Sequence, residues 1–168
     1  MDMRKLGRGD QTDEKEAGRS IGHARDAGVN FIDTADQYAK GKSEEIVGRA
    51  IAKDRDAWVL ATKAGNPVND THANSQGLSR KWLLKAMDDS LSRLKLDHVD
   101  IWYLHLDDYS TPLEEAVSAV ADVLGQGKAL YWGVSNFRAW RICELVHLAE
   151  AAGIDKPVVC QPYYNAMN

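Results

Sequence analysis

The sequence is poor in cysteine and shows no residue spacing typical of a disulfide or metal site. Cysteine occurs only twice in 168 residues, as Cys143 and Cys160, and the two form no CxxC pair. Both lie among apolar neighbours, so we interpret them as small buried hydrophobic residues of a protein in a reducing compartment. The five histidines form no HxH, no HExxH and no cluster with cysteine. The sequence therefore gives no indication of metal catalysis.

Long apolar runs and an excess of one charge are also lacking. No stretch approaches the roughly 18 apolar residues that a membrane-spanning helix needs, and the N-terminal segment MDMRKLGRGD contains no apolar signal-peptide core. The net charge is −4 and the basic residues are scattered, so we expect no nucleic-acid partner and no membrane surface. These observations favour a cytoplasmic location.

The remaining composition is that of one ordinary globular domain over residues 1–168. Apolar residues make up 44% and charged residues 27%, which is enough for one sizeable core. Short apolar runs alternate with amphipathic helical stretches, and a strand recurs about every 30 residues. The predicted strands are 29–34, 57–63, 98–106, 129–135 and 157–162.

Helical signals fill the intervals between these strands. Ser43 and Ser79 are interpreted as N-caps, and Thr111 followed by Pro112 indicates a capping box with proline at the first helical position. A last helix is predicted over 139–152. The predicted apolar stripes are Ala17, Ile21 and Ala24; Leu83, Met87, Leu91 and Leu94; and Leu113, Val117, Val120 and Leu124.

This alternation predicts successive right-handed βαβ units and therefore the α/β class. Two architectures remain open, a doubly wound sheet and a (β/α)8 barrel. No GxGxxG follows a strand, which disfavours the dinucleotide-binding doubly wound sheet. The polar segment 64–78 is the longest predicted loop, and such loops either cover a site or simply connect two elements.

Polar side chains stand at the carboxyl end of every predicted strand. In a parallel barrel these ends converge on one face, where the catalytic residues of such enzymes lie. Taken singly, each residue is more readily a turn or solvated surface residue. Taken together, we interpret them as one site. The residues are Asp33, Lys63, His105, Ser135 with Asn136, and Gln161.

The chemistry available to this set is carbonyl reduction. A phenol alone is a weak acid at neutral pH, but a neighbouring ammonium favours its ionised form. Asp33 would keep Lys63 charged and oriented, so Tyr38 becomes a usable general acid. His105 would donate a hydrogen bond to the carbonyl oxygen and stabilise the negative charge that builds there.

No side chain can supply hydride, so this chemistry implies a nicotinamide cofactor. Ser135, Asn136 and Gln161 are neutral donors and acceptors of the kind that hold a carboxamide. An alternative use of Lys63, as the amine nucleophile of a Schiff-base lyase, requires a neutral amine. A neighbouring carboxylate disfavours that role because it keeps the amine charged.

Several segments together resemble the aldo-keto reductases. They are GVNFIDTADQY, VLATK, WYLHLDD, YWGVSNF and VVCQPYYN, in family order over roughly residues 12–168. The resemblance implies a (β/α)8 barrel of the TIM type and NADP(H)-dependent reduction of a small-molecule aldehyde or ketone. It also implies a catalytic tetrad of Asp33, Tyr38, Lys63 and His105, with Ser135, Asn136 and Gln161 at the nicotinamide. Asp36 matches no family role and is interpreted as a loop carboxylate.

The sequence departs from the family in length. Counterparts of the first and the last two barrel strands are missing, so the resemblance implies an incomplete barrel of about five βα units. Open sheet edges near 29–34 and 157–162 then predict self-association or marginal stability. A catalytically impaired fragment, or a regulatory or scaffold protein on the same fold, is the alternative to an active NADP-dependent enzyme.

Overall fold

The computed structural model describes residues 14–68 and 74–164 and contains five strands and five α-helices within them. The strands are β1 (Phe31–Asp33), β2 (Val59–Ala64), β3 (Val99–Leu104), β4 (Ala129–Ser135) and β5 (Val159–Gln161). The helices are α1 (Glu14–Asp26), α2 (Lys42–Ile51), α3 (Arg80–Leu94), α4 (Leu113–Gly125) and α5 (Ala139–Ala152). Two 3₁₀ turns cover Tyr38–Gly41 and Arg55–Ala57. All five predicted strands are confirmed, with β4 matching to the residue.

The sheet is parallel throughout, and its spatial order follows the chain order from β1 to β5. A doubly wound sheet reverses its strand order at a switch point, and these five strands do not. They form a curled half-barrel with helices between them, so the α/β class and the incomplete barrel of about five units are confirmed. The other architecture considered from the sequence, a doubly wound sheet, is wrong.

The two faces of the sheet have different surroundings because side chains alternate along each strand. One face packs on the helices, with Trp102 and Trp132 in register and almost completely buried. The opposite, concave face carries Lys63 and Tyr103, which are also in register. The curl of the sheet thereby separates an apolar outer layer from an inner face that can carry polar groups.

The predicted apolar stripes of α3 and α4 form this outer layer. Leu83, Met87, Leu91 and Leu94 are all buried, as are the first three members of the α4 stripe, whereas Leu124 is partly buried. In α1 no residue is fully buried, and Ala17, Ile21 and Ala24 are its three half-buried positions. The periodicity of 3.6 residues therefore identified the correct face of each helix.

One of the three predicted caps is confirmed. Ser79 Oγ accepts a hydrogen bond from the Trp82 N–H and caps α3. The Ser43 prediction is wrong, because α2 begins at Lys42 after Gly41 and the Ser43 hydroxyl contacts Thr34 instead.

The capping box at the start of α4 is also wrong. Helix α4 begins one residue later than predicted, with Pro112 at the N-cap position. The hydroxyl of Thr111 donates to Asp108 and so does not cap the helix.

The interpretation of both cysteines as buried is wrong. Cys143 and Cys160 are exposed free thiols. Cys143 lies on the solvent side of α5, and Cys160 lies on β5, which has a neighbouring strand on one side only. Of the polar segment 64–78, residues 69–73 lie outside the described residues. Among the described helices, none is long and apolar enough to cross a membrane.

Candidate active site

Lys63 is the centre of a hydrogen-bonded group at the carboxyl ends of β1 and β2. Its side chain is completely buried, and Nζ donates to Asp33 Oδ2 at 2.6 Å and to the Thr34 carbonyl at 2.9 Å. The third neighbour of Nζ is the hydroxyl of Tyr38, at 3.4 Å. A buried ammonium is tolerated only where it is paired and hydrogen-bonded. This ammonium has three oxygen neighbours, which suits a fixed positive charge and not an amine nucleophile.

Tyr38 lies over Lys63 but remains accessible, with 41% of its surface exposed. The Lys63 ammonium is 5.0 Å from the centre of the Tyr38 ring. The His105 ring meets the Tyr38 ring edge to face, with the two centres 5.8 Å apart. The phenol, the ammonium and the imidazole therefore border one accessible point on the concave face.

The surroundings of His105 favour the neutral imidazole. Burial, together with repulsion from the Lys63 ammonium, lowers the pKa of His105 to about 4, although Asp33 acts in the opposite direction. Its Nδ1 is buried and has no hydrogen-bond partner among the described residues. A neutral imidazole donates through only one nitrogen at a time. His105 is thus suited to hydrogen bonding at neutral pH and unsuited to carrying a charge.

The segment that carries Tyr38 is attached to β2 by backbone hydrogen bonds. The Thr34 N–H donates to the Ala61 carbonyl, and the Asp36 N–H donates to the Lys63 carbonyl. Beyond Tyr38, the backbone of Ala39 and Lys40 is left-handed, with φ of 49° and 55°. Such conformations cost about 1 kcal/mol or more each for residues other than glycine. Tyr38 is therefore presented by a short, strained turn.

The other predicted residues extend the same group along the strand ends. The Ser135 hydroxyl donates to the Gln161 carbonyl at 3.1 Å, and Asn136 Nδ2 donates to the His105 carbonyl at 3.0 Å. The Gln161 side chain in turn donates to Asp33 at 3.3 Å. Ser135 is buried, whereas Asn136 and Gln161 are exposed. The structure thus brings all seven predicted site residues together in one connected network.

A cleft of ≈ 420 Å³ lies on the loops that follow β2 and β3, and Leu106, the residue after His105, is part of its lining. Its walls include Pro67, Gln76, Leu106 and Tyr109. Asp108 holds the two loops together, because its carboxylate accepts hydrogen bonds from the Leu78 N–H and from Ser110 and Thr111. The cleft offers space for a small organic molecule.

Two buried carboxyl groups near the site are not predicted by the motifs. Asp36, interpreted from sequence as a loop carboxylate, is fully buried, and Glu44 in the first turn of α2 is fully buried as well. For Glu44 a signal exists in the sequence, because it shares one helical stripe with the buried residues Val47 and Ile51. Asp36 has no such periodicity. Its burial depends on how the turn after β1 folds back on the sheet.

No group of three or more potential metal ligands occurs in residues 14–68 and 74–164. The charged and polar groups of the network are a carboxylate, an ammonium, a phenol, an imidazole, a hydroxyl and two amides. This donor set suits proton transfer and hydrogen bonding to a carbonyl or a carboxamide.

Comparison with known proteins agrees with this geometry. The family model described as "Aldo/keto reductase family" matches residues 3–168. The chain is 43% identical over 162 residues to the "Probable voltage-gated potassium channel subunit beta" of Arabidopsis thaliana, covering 94% of this chain and 48% of the relative. A protein of the same name from Oryza sativa subsp. japonica is 42% identical, again over 94% of this chain and 48% of the relative.

A "Putative voltage-gated potassium channel subunit beta" of Schizosaccharomyces pombe is 39% identical over 145 residues, which cover 84% of this chain and 42% of that protein. The chain thus spans about half the length of the curated relatives it matches. The family match extends over nearly all of the sequence and includes every residue of the network described above. The chain therefore belongs to the aldo-keto reductase family.

Proposed function

We propose that this chain carries the proton-transfer site of an NADP(H)-dependent reductase that converts an aldehyde or ketone into an alcohol. The observation that carries the proposal is the position of the Lys63 ammonium, 2.6 Å from Asp33 and 3.4 Å from the Tyr38 hydroxyl. An ammonium beside a phenol stabilises the phenolate that remains after the proton has left. Tyr38 is accordingly the proton donor to the carbonyl oxygen.

Asp33 and Thr34 hold Lys63 for this task. The carboxylate and the backbone carbonyl together fix two of the three ammonium hydrogens, so the third points towards Tyr38. No reorganisation is needed when charge develops on the phenol, which is the condition for effective electrostatic catalysis. General acid catalysis of this kind contributes about 10²- to 10⁴-fold in rate.

His105 is proposed to orient the carbonyl. Because its imidazole is neutral, it can donate one hydrogen bond without competing with Tyr38 for proton transfer. The edge-to-face contact with the Tyr38 ring brings the two donors to the same side of the accessible point. Two donors aimed at one oxygen fix its direction and stabilise the negative charge that develops on it.

The polar groups at the ends of β4 and β5 fit a nicotinamide carboxamide. Asn136 and Gln161 are exposed amides that offer both a donor and an acceptor, and Ser135 supports them through the Gln161 carbonyl and the Asn136 side chain. A bound NADP(H) would supply the hydride that no side chain can provide. Its carboxamide would be held by Asn136 and Gln161. The cleft beside Tyr109 would receive the small-molecule carbonyl substrate.

A cytoplasmic location is part of the proposal. The nicotinamide chemistry and the two exposed free thiols suit a reducing compartment.

The experiment that tests the proposal is NADPH oxidation with 4-nitrobenzaldehyde. Tyr38→Phe is expected to lower the rate at least about 100-fold because it removes the general acid. Tyr131→Phe is the matched control, since it removes a tyrosine hydroxyl from an exposed position in β4, away from the strand ends. Equal rates for wild type and Tyr38→Phe would reject Tyr38 as the acid.

A second candidate function is that of a voltage-gated potassium channel β subunit. It is favoured by the names of relatives with 39% to 43% identity. Titration with NADPH, followed by its fluorescence, separates the two candidates. Absence of binding at about millimolar cofactor, together with co-purification with a co-expressed voltage-gated potassium channel, would support the subunit function without catalysis.

A further inference from the structure

Asp36 is a buried carboxyl group that the proposed reaction does not use. Its exposed surface is 0%, and neither carboxyl oxygen has a hydrogen-bond partner at favourable distance and angle among the described residues. An unpartnered carboxylate in such a place is strongly disfavoured, whereas a protonated carboxyl is tolerated more easily. The position of Asp36 therefore depends on a proton.

The charged groups around Asp36 come from helices α2 and α3. Glu44 on α2 is fully buried, and its carboxylate accepts hydrogen bonds from Thr62 at 2.5 Å and from Arg93 at 2.6 Å. Arg93 on α3 is thus already engaged, and Asp89 on the same helix adds further negative charge. From β2, the Lys63 carbonyl accepts the Asp36 N–H, while the Lys63 ammonium is held by Asp33, Thr34 and Tyr38.

Burial and then repulsion from Glu44 raise the pKa of Asp36 to about 7, with a smaller contribution from Asp89. The Arg93 guanidinium and the backbone at Gln37 act in the opposite direction and offset only part of this rise. The carboxyl group consequently changes its charge in the neutral pH range, unlike an ordinary aspartate.

Asp36 is also coupled to Tyr38 through a short piece of backbone. The Asp36 N–H donates to the Lys63 carbonyl at 3.1 Å, and the Tyr38 N–H donates to the Ala35 carbonyl at 3.2 Å. Immediately beyond Tyr38, Ala39 and Lys40 hold left-handed conformations that strain the turn. Strained backbone persists only where surrounding contacts hold it in place. The hydrogen bond from the Asp36 N–H to β2 is one of these contacts.

We propose that Asp36 is a positioning residue for Tyr38: while its carboxyl is protonated, the segment 34–38 stays on β2 through its backbone hydrogen bonds, and loss of the proton releases this segment. The proton passes to solvent, and the carboxylate that remains is repelled by Glu44, while Arg93, the cation acting on it from α3, is already bound to Glu44 and Ser90. Water must then reach Asp36, which loosens the turn and moves the Tyr38 hydroxyl from Lys63. The reaction affected is the proposed carbonyl reduction, so the catalytic part of this inference rests on the proposed function.

The first test requires no activity. The side-chain carboxyl carbon of Asp36 is followed by ¹³C NMR between pH 4 and 9, with assignment by its loss in Asp36→Asn. Hydrogen exchange of peptides covering 34–41 is then measured at pH 6 and pH 8 and corrected for the intrinsic pH dependence. We expect a carboxyl midpoint near pH 7 and faster exchange at pH 8 in wild type.

Asp36→Asn imitates the protonated carboxyl and should show the same exchange at both pH values. Asp56→Asn, which alters an exposed aspartate elsewhere, is the matched control and should behave as wild type. A carboxyl midpoint near 4, or exchange of 34–41 that does not respond to the Asp36 titration, overturns the proposal. If Asp36→Asn fails to fold, the carboxyl carbon is assigned through bonds from the Asp36 backbone resonances, and the wild-type titration and exchange then decide the proposal.

The second test uses the pH profile of NADPH-dependent reduction. In wild type the rate should fall about tenfold between pH 6 and pH 8 beyond any change seen in Asp36→Asn, because about one tenth of Asp36 remains protonated at pH 8. Parallel profiles in the two proteins would overturn the catalytic role of Asp36. If wild type has no activity at any pH, the proposed function fails. Hydrogen exchange alone then tests whether Asp36 positions the turn that carries Tyr38.

Discussion

The side-chain amide of Gln161 donates to Asp33 Oδ2 at 3.3 Å, although the two residues are separated by 128 positions. Asp33 ends β1 and Gln161 ends β5, the two outer strands of the five-stranded sheet. A flat sheet of five strands would keep its outer strands roughly 19 Å apart. The contact therefore results from the curl of the sheet, which brings the carboxyl ends of both strands to the same polar network.

The pairing of Lys63 with Asp33 predicts a conflict between stability and catalysis. Asp33→Asn leaves a buried ammonium without its counter-charge and should cost about 2 kcal/mol in the free energy of unfolding, since Asp33 itself is partly exposed. Lys63→Met removes the buried charge and should remain within about 1 kcal/mol of wild type. Urea denaturation measures both variants. A Lys63→Met protein less stable than Asp33→Asn would contradict this explanation.

Catalysis should respond differently from stability. Both substitutions are expected to abolish most NADPH-dependent reduction, because each removes the ammonium or its orientation. Activity in Lys63→Met close to that of wild type would show that Tyr38 does not depend on Lys63.

Because the pKa of His105 is lowered in the folded chain, we expect the protein to lose stability in acid. Its pKa in the folded chain, about 4, lies below the ordinary value of 6.5, so the unfolded chain binds more protons between these values. The stability that His105 contributes is present above pH 6.5 and is lost as the pH falls towards 4. The loss should approach about 3 kcal/mol.

His105→Gln should remove this component of the pH dependence, as measured by urea denaturation at several pH values. Asp36 has the opposite effect over the whole of this range, because its pKa in the folded chain is raised from 3.8 to about 7. The wild-type curve alone is therefore not diagnostic, and the difference between wild type and His105→Gln is the quantity to measure. A constant difference from pH 4 to pH 7 would contradict the prediction.

The hydrogen bonds of Asp108 lead us to expect that the positions of the two loops at the cleft depend on its carboxylate. Burial alone would raise its pKa, but hydrogen bonds from Ser110, Thr111 and the Leu78 N–H outweigh burial and lower the pKa to about 2. Asp108→Asn should cost about 2 kcal/mol in the free energy of unfolding and make residues 74–78 more sensitive to limited proteolysis. The wild-type contribution should fade as the pH falls from 3.8 towards 2. Asp56→Asn should leave the cleavage pattern unchanged.

At Gly133, β4 packs tightly against the neighbouring strands β3 and β5. A Cβ atom at this position would lie 2.7 Å from the Val159 carbonyl and 3.1 Å from the Tyr103 ring. Gly133→Ala should therefore destabilise the fold by about 2 kcal/mol and disturb the pairing of Ser135 with Gln161. Gly22→Ala in α1, where a Cβ meets nothing within 4 Å, should be neutral or stabilising by about 0.5–1 kcal/mol. Thermal unfolding compares the two variants.

The outer strands predict self-association of the 168-residue polypeptide when it is expressed alone. Within the described sheet, β1 and β5 each have one strand neighbour, and Phe31 and Val158 nearby are 44% and 56% exposed. Unpaired strand edges with apolar side chains pair readily with other copies. Light scattering should show concentration-dependent association, and Val158→Lys should reduce it. A monodisperse monomer with cooperative unfolding would contradict this prediction.

The elements of the fold were predictable because each depends on local pattern. Apolar runs identified the five strands, and helical periodicity identified the buried residues of α3 and α4. Helix starts were less predictable. Ser79 caps its helix, but the hydroxyls of Ser43 and Thr111 form hydrogen bonds with Thr34 and Asp108, which approach them only in the folded chain.

The candidate site was predictable for a related reason. Parallel strands present their carboxyl ends on one side, so the polar residues that end β1 to β5 had to meet there if the class was α/β. Asp36 was not predictable in the same way. Nothing in the letters DTADQY distinguishes an exposed turn carboxylate from a buried one.

By itself, the sequence determined the order of strands and helices, the polar residue at the end of each strand and the chemistry those residues could perform together. These properties follow from side-chain type and spacing alone. Only the tertiary structure decided which charges lie buried and which side chains are hydrogen-bonded to each other, because both depend on distances between segments far apart in the chain. The isolation of Asp36 near Glu44, the three contacts of Lys63 and the exposure of both cysteines are the clearest examples.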